Sequence, residues 1–529
     1  MYPPFPASRP VKAIAVAAVV LFLGMVARFW HPIYGFTTFL QLDTRNEAVA
    51  IAAFHQYPVF VHRDSGYDGL QYAQIAYHPL LTAAELRPAI DNLSYRARRI
   101  LLPALAWLLA AGQPAWIAQV YSGLNIACWL ILAAFLWRML PVADARSLIA
   151  WAGILFSAGV LGSVRLALID LPALALVAAA VWAAEQGRPR TAVGWLAAAA
   201  LTRETSLLAA VGLGAGPWKS RGTVARNLLL MALAAVPLFA WLAYLNWCVA
   251  PVNHGVKNFA WPLVGLVQEF ANCVSVLIQS GLPLNEFVLA TLIATIGLTV
   301  QAGFILLRPQ PADPWWRVGA AHTLLLLTLG PAVWEGFPHA AFRVVLPLNL
   351  AANLVAVRLR APLTLLLACN LTVFSGLLAF RDGTRDPFEL AAVCHGGAAG
   401  TVVLAEGWYG QEQNSRHRWA WAESDGHLAV SVWPRSAPIE TRLTLRVMSL
   451  VPRTVRIVAA GRELWRGPIG STLTVASLPP LLVTGGQLDL ELATEEPPVP
   501  ESASADARRL GFALYDPVIS VSERASVAP

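Results

Sequence analysis

Residues 228–248 read LLLMALAAVPLFAWLAYLNWC, an apolar run of 21 residues without a charged side chain. A helix that crosses a bilayer needs about 20 such residues, so this run predicts a membrane-spanning segment. The whole chain has the same character, because 57% of its 529 residues are hydrophobic and only 13% are charged. Soluble domains have roughly one quarter of their residues charged. The composition therefore indicates a polytopic α-helical membrane protein as far as about residue 380.

Apolar runs recur from residue 13 to residue 380, and most arginines lie in the short gaps between them. Basic residues favour the cytoplasmic side of short loops, which predicts a cytoplasmic N-terminus followed by an uncleaved signal anchor. The run 100–111 is too short to cross and contains Pro103, so we expect an interfacial helix there. We expect about eleven membrane segments, which include two half-helices at 192–201 and 206–214. The predicted full spans are 13–30, 116–137, 148–164, 171–184, 228–248, 287–307, 318–334, 344–357 and 363–380.

The run 191–216 is interrupted by Thr202-Arg203-Glu204-Thr205, a charged pair inside apolar sequence. As a single span it would put the basic residues of 219–226 on the outer side, against the positive-inside tendency. As two half-helices, 192–201 and 206–214, each roughly 15 Å long, it would enter the membrane and return. Charged side chains at such depth pair or line a cavity. We therefore expect Arg203 and Glu204 at the floor of a cavity that opens outward.

The pattern changes after residue 380, and we expect a membrane domain over 1–385 and a separate domain over 386–529. Apolar and polar residues alternate in short runs there, with turn sequences such as Ser424-Asp425-Gly426 between them. These features predict an all-β sandwich, on the same outer side as the first loop, 31–99. Its tryptophans could form a carbohydrate-binding surface or fill the core. The predicted strands are 427–433, 442–447, 454–458, 473–475, 487–492 and 510–515, and the tryptophans are Trp408, Trp419, Trp421, Trp433 and Trp465.

The first external loop carries a carboxylate in the stretch Gly66-Tyr67-Asp68-Gly69-Leu70-Gln71-Tyr72. Glycine on either side allows the backbone to bend, and the apolar residues that follow fall at helical spacing. We therefore expect Asp68 just ahead of a short helix. An ordinary capped surface loop explains the same pattern.

Three further polar groups are expected on the outer side, and each has two explanations. An arginine cluster before the interfacial helix suits phosphate oxygens, but also suits an anchor to lipid headgroups. Arg165 and Asp170 form the second group, and because Asp170 precedes Leu171-Pro172, it is either a helix cap or a substrate contact. In the third group, Arg343 begins an apolar run, where it could bind a lipid phosphate or extend to the membrane surface. The arginine cluster consists of Arg96, Arg98 and Arg99, and the third group of Glu335, His339 and Arg343.

These groups together predict a chemistry. A carboxylate can remove a proton from a hydroxyl, and arginines can stabilise a departing phosphate, so we expect group transfer from a lipid phosphate to an alcohol. The sequence has no phosphate-binding P-loop, no glycine-rich dinucleotide motif and no metal-ligand spacing among its five cysteines. Its basic residues do not cluster as in nucleic-acid-binding proteins. A nucleic-acid partner is excluded, whereas a divalent cation held by Asp64, Asp68 and Asp170 is left open.

These residues resemble the GT-C superfamily of polytopic glycosyltransferases, in the GPI-mannosyltransferase-like branch and its bacterial relatives that use polyprenyl-phosphate sugars. The resemblance covers about residues 10–380 and depends on five short motifs in the same order. The motifs are Tyr67-Asp68-Gly69 with Tyr72, Tyr95-Arg96-Ala97-Arg98-Arg99 through Pro103, Asp170-Leu171-Pro172-Ala173-Leu174, Leu201-Thr202-Arg203-Glu204-Thr205, and Phe342-Arg343-Val344-Val345-Leu346-Pro347-Leu348.

The resemblance implies an inverting transfer of a sugar from a polyprenyl-phosphate donor to an extracytoplasmic glycan, lipid or protein acceptor at the bacterial inner membrane. By position, Asp68 would be the general base, and Asp43 is its main rival. The donor phosphate would contact Arg343, His339, Arg98 and Arg99, and the other substrate contacts would be Tyr67, Gln71, Tyr72, Arg96, Asp170, Arg203 and Glu204. Two other functions stay open, namely a transporter or flippase of a lipid-linked saccharide and a membrane-anchored glycan-binding protein.

Overall fold

The chain forms two compact units in a computed structural model that describes residues 9–63, 66–140, 144–214, 221–249, 258–280, 282–337, 340–381, 388–502 and 507–523. The first unit comprises Met1–Arg28, Phe36–Ile51 and Phe60–Gly383. The second comprises Phe29–Gly35, Ala52–Val59 and Thr384–Pro529. Two pieces of the first loop therefore belong to the same unit as the C-terminal residues.

The first unit is helical, with a short parallel pair of strands, β1 (Leu42–Asp43) and β2 (Val61–His62). Its helices are α1 (Arg9–Ala27), α2 (Thr44–Glu47), α3 (Ala52–Gln56, which belongs to the second unit), α4 (Gly69–Tyr77), α5 (Leu86–Ala89), α6 (Leu93–Arg96), α7 (Leu101–Leu109), α8 (Pro114–Met139), α9 (Ala145–Leu155), α10 (Ala158–Arg165), α11 (Asp170–Glu185), α12 (Pro189–Thr202), α13 (Arg221–Cys248), α14 (Val264–Ser280), α15 (Glu286–Leu307), α16 (Pro314–Leu327), α17 (Ala340–Val344), α18 (Leu346–Arg358), α19 (Leu363–Cys369) and α20 (Thr372–Leu378).

Within the described ranges, five helical segments are long and apolar enough to cross a membrane. The expected eleven segments are therefore not all of spanning length. The five are Pro10–Ala27, Pro114–Met139, Ala145–Arg165, Arg221–Cys248 and Glu286–Leu307.

Several other predicted spans are divided into shorter helices where proline or a turn interrupts them. The predicted span 318–334 ends as α16 at Leu327 and continues as a 3₁₀ turn, Pro331–Trp334. A proline has no backbone N–H to continue a helix, which explains this break. The span 344–357 is α18, which begins at Leu346 with Pro347 in its first turn, a position where proline is tolerated.

The predicted interruption at residues 202–205 is present. Helix α12 ends at Thr202, Arg203 is extended with φ −155° and ψ 124°, and a nine-residue 3₁₀ segment, Glu204–Gly212, follows. Two short segments therefore replace one span, as predicted, and the second is 3₁₀ rather than α-helical.

The sequence predicts no element in residues 249–286, but α14 (Val264–Ser280) lies there. Its buried residues are Gly265, Leu266, Glu269 and Cys273, and the steps of three and four positions from Leu266 to Glu269 and on to Cys273 place them on one helical face. Because Glu269 lies on that face, the sequence of α14 shows no continuous apolar run and was not predicted as a helix.

The second unit is a sandwich of two antiparallel sheets. The orders are β10-β9-β13-β7-β4-β3 in one sheet and β11-β8-β16-β6-β5 in the other, where β12 also pairs with β8. Leu443, Val430 and Leu490 are fully buried members of the core between them. The strands are β3 (Glu389–His395), β4 (Ala398–Leu404), β5 (Glu412–Gln413), β6 (Arg418–Ala422), β7 (Asp425–Trp433), β8 (Ile439–Met448), β9 (Arg453–Ala459), β10 (Arg462–Ile469), β11 (Thr474–Ser477), β12 (Leu481–Val483), β13 (Gln487–Thr494), β14 (Val499–Pro500), β15 (Arg509–Leu510) and β16 (Phe512–Glu523).

The five tryptophans of residues 388–502 are buried or partly buried. Trp421 and Trp433 are 7% and 5% exposed, and Trp408 donates a hydrogen bond from Nε1 to the carbonyl of His427 at 2.8 Å. Trp408 and Trp465 pack against the core, and Trp419 stacks on Tyr515. Of the two explanations left open by the sequence, the structure favours packing for these side chains.

Residues 29–35 pack within the second unit. Ile33 and Tyr34 form a small apolar cluster with Ala399 and Trp433, and the His31 ring lies 3.0 Å from the Glu389 carboxylate. A segment more than 350 positions away in the sequence thus completes the sandwich.

Candidate functional site

A cavity of about 590 Å³ lies within the first unit. Its walls come from the first loop, from the start of α11, from the break at Arg203 and from the region around α17. The lining residues are Asp68, Tyr72, Tyr95, Arg98, Arg99, Leu168, Ile169, Asp170, Arg203, Glu204, Thr205, Asn258, Phe259, Leu325, Leu329, Ala332, Val333, Ala340, Arg343 and Val344.

Asp68 immediately precedes α4, as predicted from the spacing. Its side chain is 32% exposed. The next residue must be small, because a Cβ at Gly69 would collide with the backbone carbonyl of Leu166. This glycine therefore lets the Asp68 turn approach the segment that leads into α11.

Arg96 connects Asp68 to a second carboxylate. Its Nη2 lies 2.9 Å from Asp68 Oδ1, and its Nε and Nη2 donate to Asp91 at 3.0 and 2.7 Å. Asp91 therefore accepts two hydrogen bonds from one edge of the guanidinium, and Asp68 receives a single contact. Within the described part of the chain, Asp68 Oδ2 accepts no hydrogen bond. One carboxylate oxygen thus remains available to a substrate hydroxyl.

Arg99 is held by a buried pair and two phenols. Its Nε lies 3.1 Å from Glu204 Oε2, Nη1 donates to the Tyr72 hydroxyl at 2.6 Å and Nη2 donates to the Tyr95 hydroxyl at 2.9 Å. The Glu204 contact joins the first loop to the interruption after α12. Arg203 and Glu204 both line the cavity, and each pairs with a distant residue, Glu204 with Arg99 and Arg203 with Asp170.

Asp170 lies between two arginines. Arg203 forms an ion pair with its carboxylate, and Arg343 Nη1 lies 3.3 Å from its Oδ2. Arg343 Nη2 also donates to the Tyr67 hydroxyl at 2.6 Å. The Asp170 side chain is only 1% exposed, and the residue before α11 is Ile169. Asp170 is thus a buried ion-pair partner rather than a solvent-facing cap.

The lining side chains carry four arginines and three carboxylates. Arg99 is matched by Glu204, whereas the single charge of Asp170 faces two arginines. Arg98 forms no ion pair within the described residues, and its guanidinium lies 5.8 Å from the centre of the Tyr95 ring. An excess of positive charge therefore surrounds Arg98 and Arg343, which favours an anionic ligand.

The phenol of Tyr67 stays protonated near neutral pH. Burial raises the pKa of Tyr67, and the nearby Arg343 lowers it only in part. Tyr67 accepts a hydrogen bond from Arg343 and so helps to position that arginine, but Tyr67 is not itself among the cavity-lining residues.

Gln71 and Asp43 have local partners. Gln71 accepts a hydrogen bond from the Asp91 backbone at 3.3 Å and so positions that loop. Asp43 accepts from the Asn46 backbone at 2.8 Å and caps α2. Neither is among the cavity-lining residues.

Among the described residues, no donor set suits the divalent cation left open by the sequence. The carboxylate of Asp170 already binds two arginines, and the described ranges contain no group of three or more His, Cys, Asp or Glu side chains that could hold a metal ion. Asp64 and His339 lie outside those ranges.

Two residues of the site were given no role from the sequence. Asp91 orients Arg96, and Tyr95 contacts Arg99 through its hydroxyl and its ring, whose centre lies 4.6 Å from the guanidinium carbon. Tyr95 lies in α6, whereas Arg99 follows the end of that helix at Arg96. The contact between Tyr95 and Arg99 therefore does not follow from helical spacing, and the sequence gives no signal for Asp91 either.

No protein-family model matches this sequence, and no curated protein sequence matches it. Among solved structures, the chain is similar to the arabinosyltransferase EmbB from Mycobacterium smegmatis, with a TM-score of 0.25 and 9% identity over 99% of this chain. The chain spans 66% of that protein's length, just under two thirds. A likeness at this TM-score supports no conclusion about activity.

Proposed function

We propose that this protein is a membrane glycosyltransferase that moves a sugar from a polyprenyl-phosphate donor to an extracytoplasmic acceptor. The observation that carries the proposal is the cavity in which the free oxygen of Asp68 faces an excess of arginine. A base and an anion site in one cavity are the two requirements of this transfer. The apolar helices of the first unit support a lipid-linked donor.

The proposed reaction inverts the configuration at the anomeric carbon of the transferred sugar. The acceptor hydroxyl gives its proton to Asp68 while its oxygen bonds to the anomeric carbon. The bond between that carbon and the phosphate oxygen breaks, and the polyprenyl phosphate leaves with the bonding electrons. Arg98 and Arg343 would stabilise the charge on the departing phosphate, and Tyr67 would hold Arg343 in place through their hydrogen bond.

We further infer that the protein lies in a bacterial inner membrane, with its N-terminus in the cytoplasm and Asp68 on the outer side. The positive-inside distribution of arginines supports this orientation. The acceptor would then be a glycan, lipid or protein outside the cytoplasm.

The test is Asp68→Asn in purified protein supplied with labelled polyprenyl-phosphate sugars and a panel of envelope acceptors. Removal of a general base costs about 100-fold or more in rate. Asp43→Asn is the matched control, because Asp43 lies in the same loop but caps α2, and we expect it to keep most of the activity. Transfer by Asp68→Asn at the wild-type rate would show that Asp68 is not the base.

The same assay separates transfer from transport. In sealed vesicles, a flippase would move the labelled donor across the bilayer and form no new glycosidic bond. That result for the wild-type protein would overturn the proposal.

A further inference from the structure

A second depression of about 320 Å³ lies in the first unit, beside the cavity that holds Asp68. We call it the α14 groove. Its volume is at the lower end of the roughly 300–1,000 Å³ found for small-molecule sites. It is lined by Gly265, Gln268, Glu269, Asn272, Pro331, Trp334, Glu335 and Gly336.

The groove and the Asp68 cavity share one wall. In the 3₁₀ turn Pro331–Trp334, Ala332 and Val333 line the Asp68 cavity, whereas Pro331 and Trp334 line the groove. A ligand in the groove would therefore lie across a single turn of backbone from the proposed site of transfer.

The lining side chains suit a neutral polyhydroxylated ligand. Gln268 and Asn272 are exposed amides on successive turns of α14, and amides can donate to and accept from hydroxyl groups at the same time. The only charged side chains of the lining are the carboxylates of Glu269 and Glu335. These lining residues include no arginine or lysine, unlike those of the Asp68 cavity, and so offer no cation to a phosphate.

The floor of the groove contains an unused donor. Trp334 is 3% exposed, and its Nε1–H has no hydrogen-bond partner within the described residues. A buried donor without a partner is unfavourable. A Cβ at Gly265 would collide with the backbone carbonyl of Leu329 and would also lie 3.0 Å from Trp334 Nε1, so glycine allows the close approach of α14 and leaves the indole nitrogen uncovered on that side. A ligand hydroxyl in the groove could accept this hydrogen bond.

We propose that the α14 groove binds the saccharide acceptor. The role of this saccharide as the acceptor rests on the proposed transferase function, but the binding of a saccharide in the groove does not. Phosphate would occupy the arginine-rich cavity, and the neutral saccharide would approach from the groove, which is rich in amide and carboxylate groups.

The experiment measures binding without a donor. Full-length protein in lipid nanodiscs is titrated with neutral hexasaccharides of glucose, galactose, mannose and arabinose. The test variant combines Gln268→Ala with Asn272→Ala, and the control is Gln279→Ala, an exposed amide of the same helix that bonds to Ser275. We expect the double variant to bind about tenfold more weakly, the loss of one or two hydrogen bonds, and the control to bind as the wild type does.

Two results would overturn the groove assignment: equal affinity of all three proteins for the best saccharide, or no binding of any hexasaccharide by the wild type. Asp68→Asn separates this proposal from the transferase proposal, because it should retain hexasaccharide binding whatever its effect on transfer. A protein that binds saccharide in the groove but transfers no sugar would refute only the transferase. Transfer with an unchanged acceptor KM in the double variant would refute only the groove.

Discussion

Asp91 keeps one carboxylate oxygen of Asp68 free of Arg96. It accepts two hydrogen bonds from Arg96, which leaves Asp68 a single contact at 2.9 Å. Arginine prefers to bind a carboxylate with both arms of its fork. Without Asp91, Arg96 would therefore bind Asp68 more completely and occupy the oxygen that we propose as the base for the acceptor hydroxyl.

We predict that Asp91→Ala slows sugar transfer about tenfold, a rise of ~1.4 kcal/mol in the barrier. The double variant Asp91→Ala with Arg96→Ala should recover part of the lost rate, because the competing cation is gone. Steady-state rates for the three proteins at saturating donor test this. A single variant as fast as the wild type, or a double variant slower than the single one, would contradict it.

At this scale the sequence predicts positions better than partners. The place of Asp68 ahead of α4 follows from the local spacing, and the break at Arg203 follows from a charged pair in apolar sequence. The pairing of Asp170 with Arg203 and Arg343 does not, since these residues lie 33 and 173 positions apart in the chain. Which carboxylate an arginine reaches is set by the packing of distant helices.

At the scale of elements, α4 depends on one close approach. The absence of a side chain at Gly69 allows the helix to begin beside the Leu166 carbonyl, and the carbonyl of Leu40 is also near, 3.1 Å from where a Cβ would lie. Because backbone atoms on both sides cannot yield as a flexible side chain can, a methyl group here would displace the start of the helix and Asp68 with it.

Gly69→Ala is predicted to lower both the melting temperature and the transfer rate. The control is Gly123→Ala in α8, where a Cβ would meet nothing within 4 Å. There the change should be neutral or slightly stabilising, since alanine is favoured over glycine in a helix by roughly 1 kcal/mol. Thermal unfolding in detergent and the transfer assay measure the two effects. Equal behaviour of the two variants would show that the close approach is unimportant.

Elements that follow a long apolar run or a regular apolar–polar alternation were predicted well, and elements that depart from these two patterns were missed. Helices α8, α13 and α15 match long apolar runs, and β7, β8 and β13 match alternating ones. Strand β4 was missed because nearly all its residues are buried, which removes the alternation. Helix α14 was missed because Glu269 lies on its buried face, where an apolar residue is the normal expectation.

At the scale of the whole molecule, the units are not continuous segments of the chain. The predicted boundary at residue 385 describes the sequence pattern, but Phe29–Gly35 and Ala52–Val59 belong to the second unit. Neither piece has a sequence signal for this, because both are short and neither alternates. Their place depends on contacts such as the one between the rings of Tyr34 and Trp433, whose centres are 5.6 Å apart.

Trp433→Ala tests whether this contact holds residues 29–35 on the sandwich. Trp433 is 5% exposed and packs against Ile33 and Tyr34, so its truncation should destabilise the second unit by about 3–5 kcal/mol. Hydrogen exchange of the full-length protein should show faster exchange in residues 29–35 and in β4 and β7 together. Leu482→Ala on β12 is the control, because that side chain is 49% exposed and its loss should leave both regions protected. If residues 29–35 keep their protection in Trp433→Ala while the strands lose theirs, this segment is stabilised by contacts other than the tryptophan.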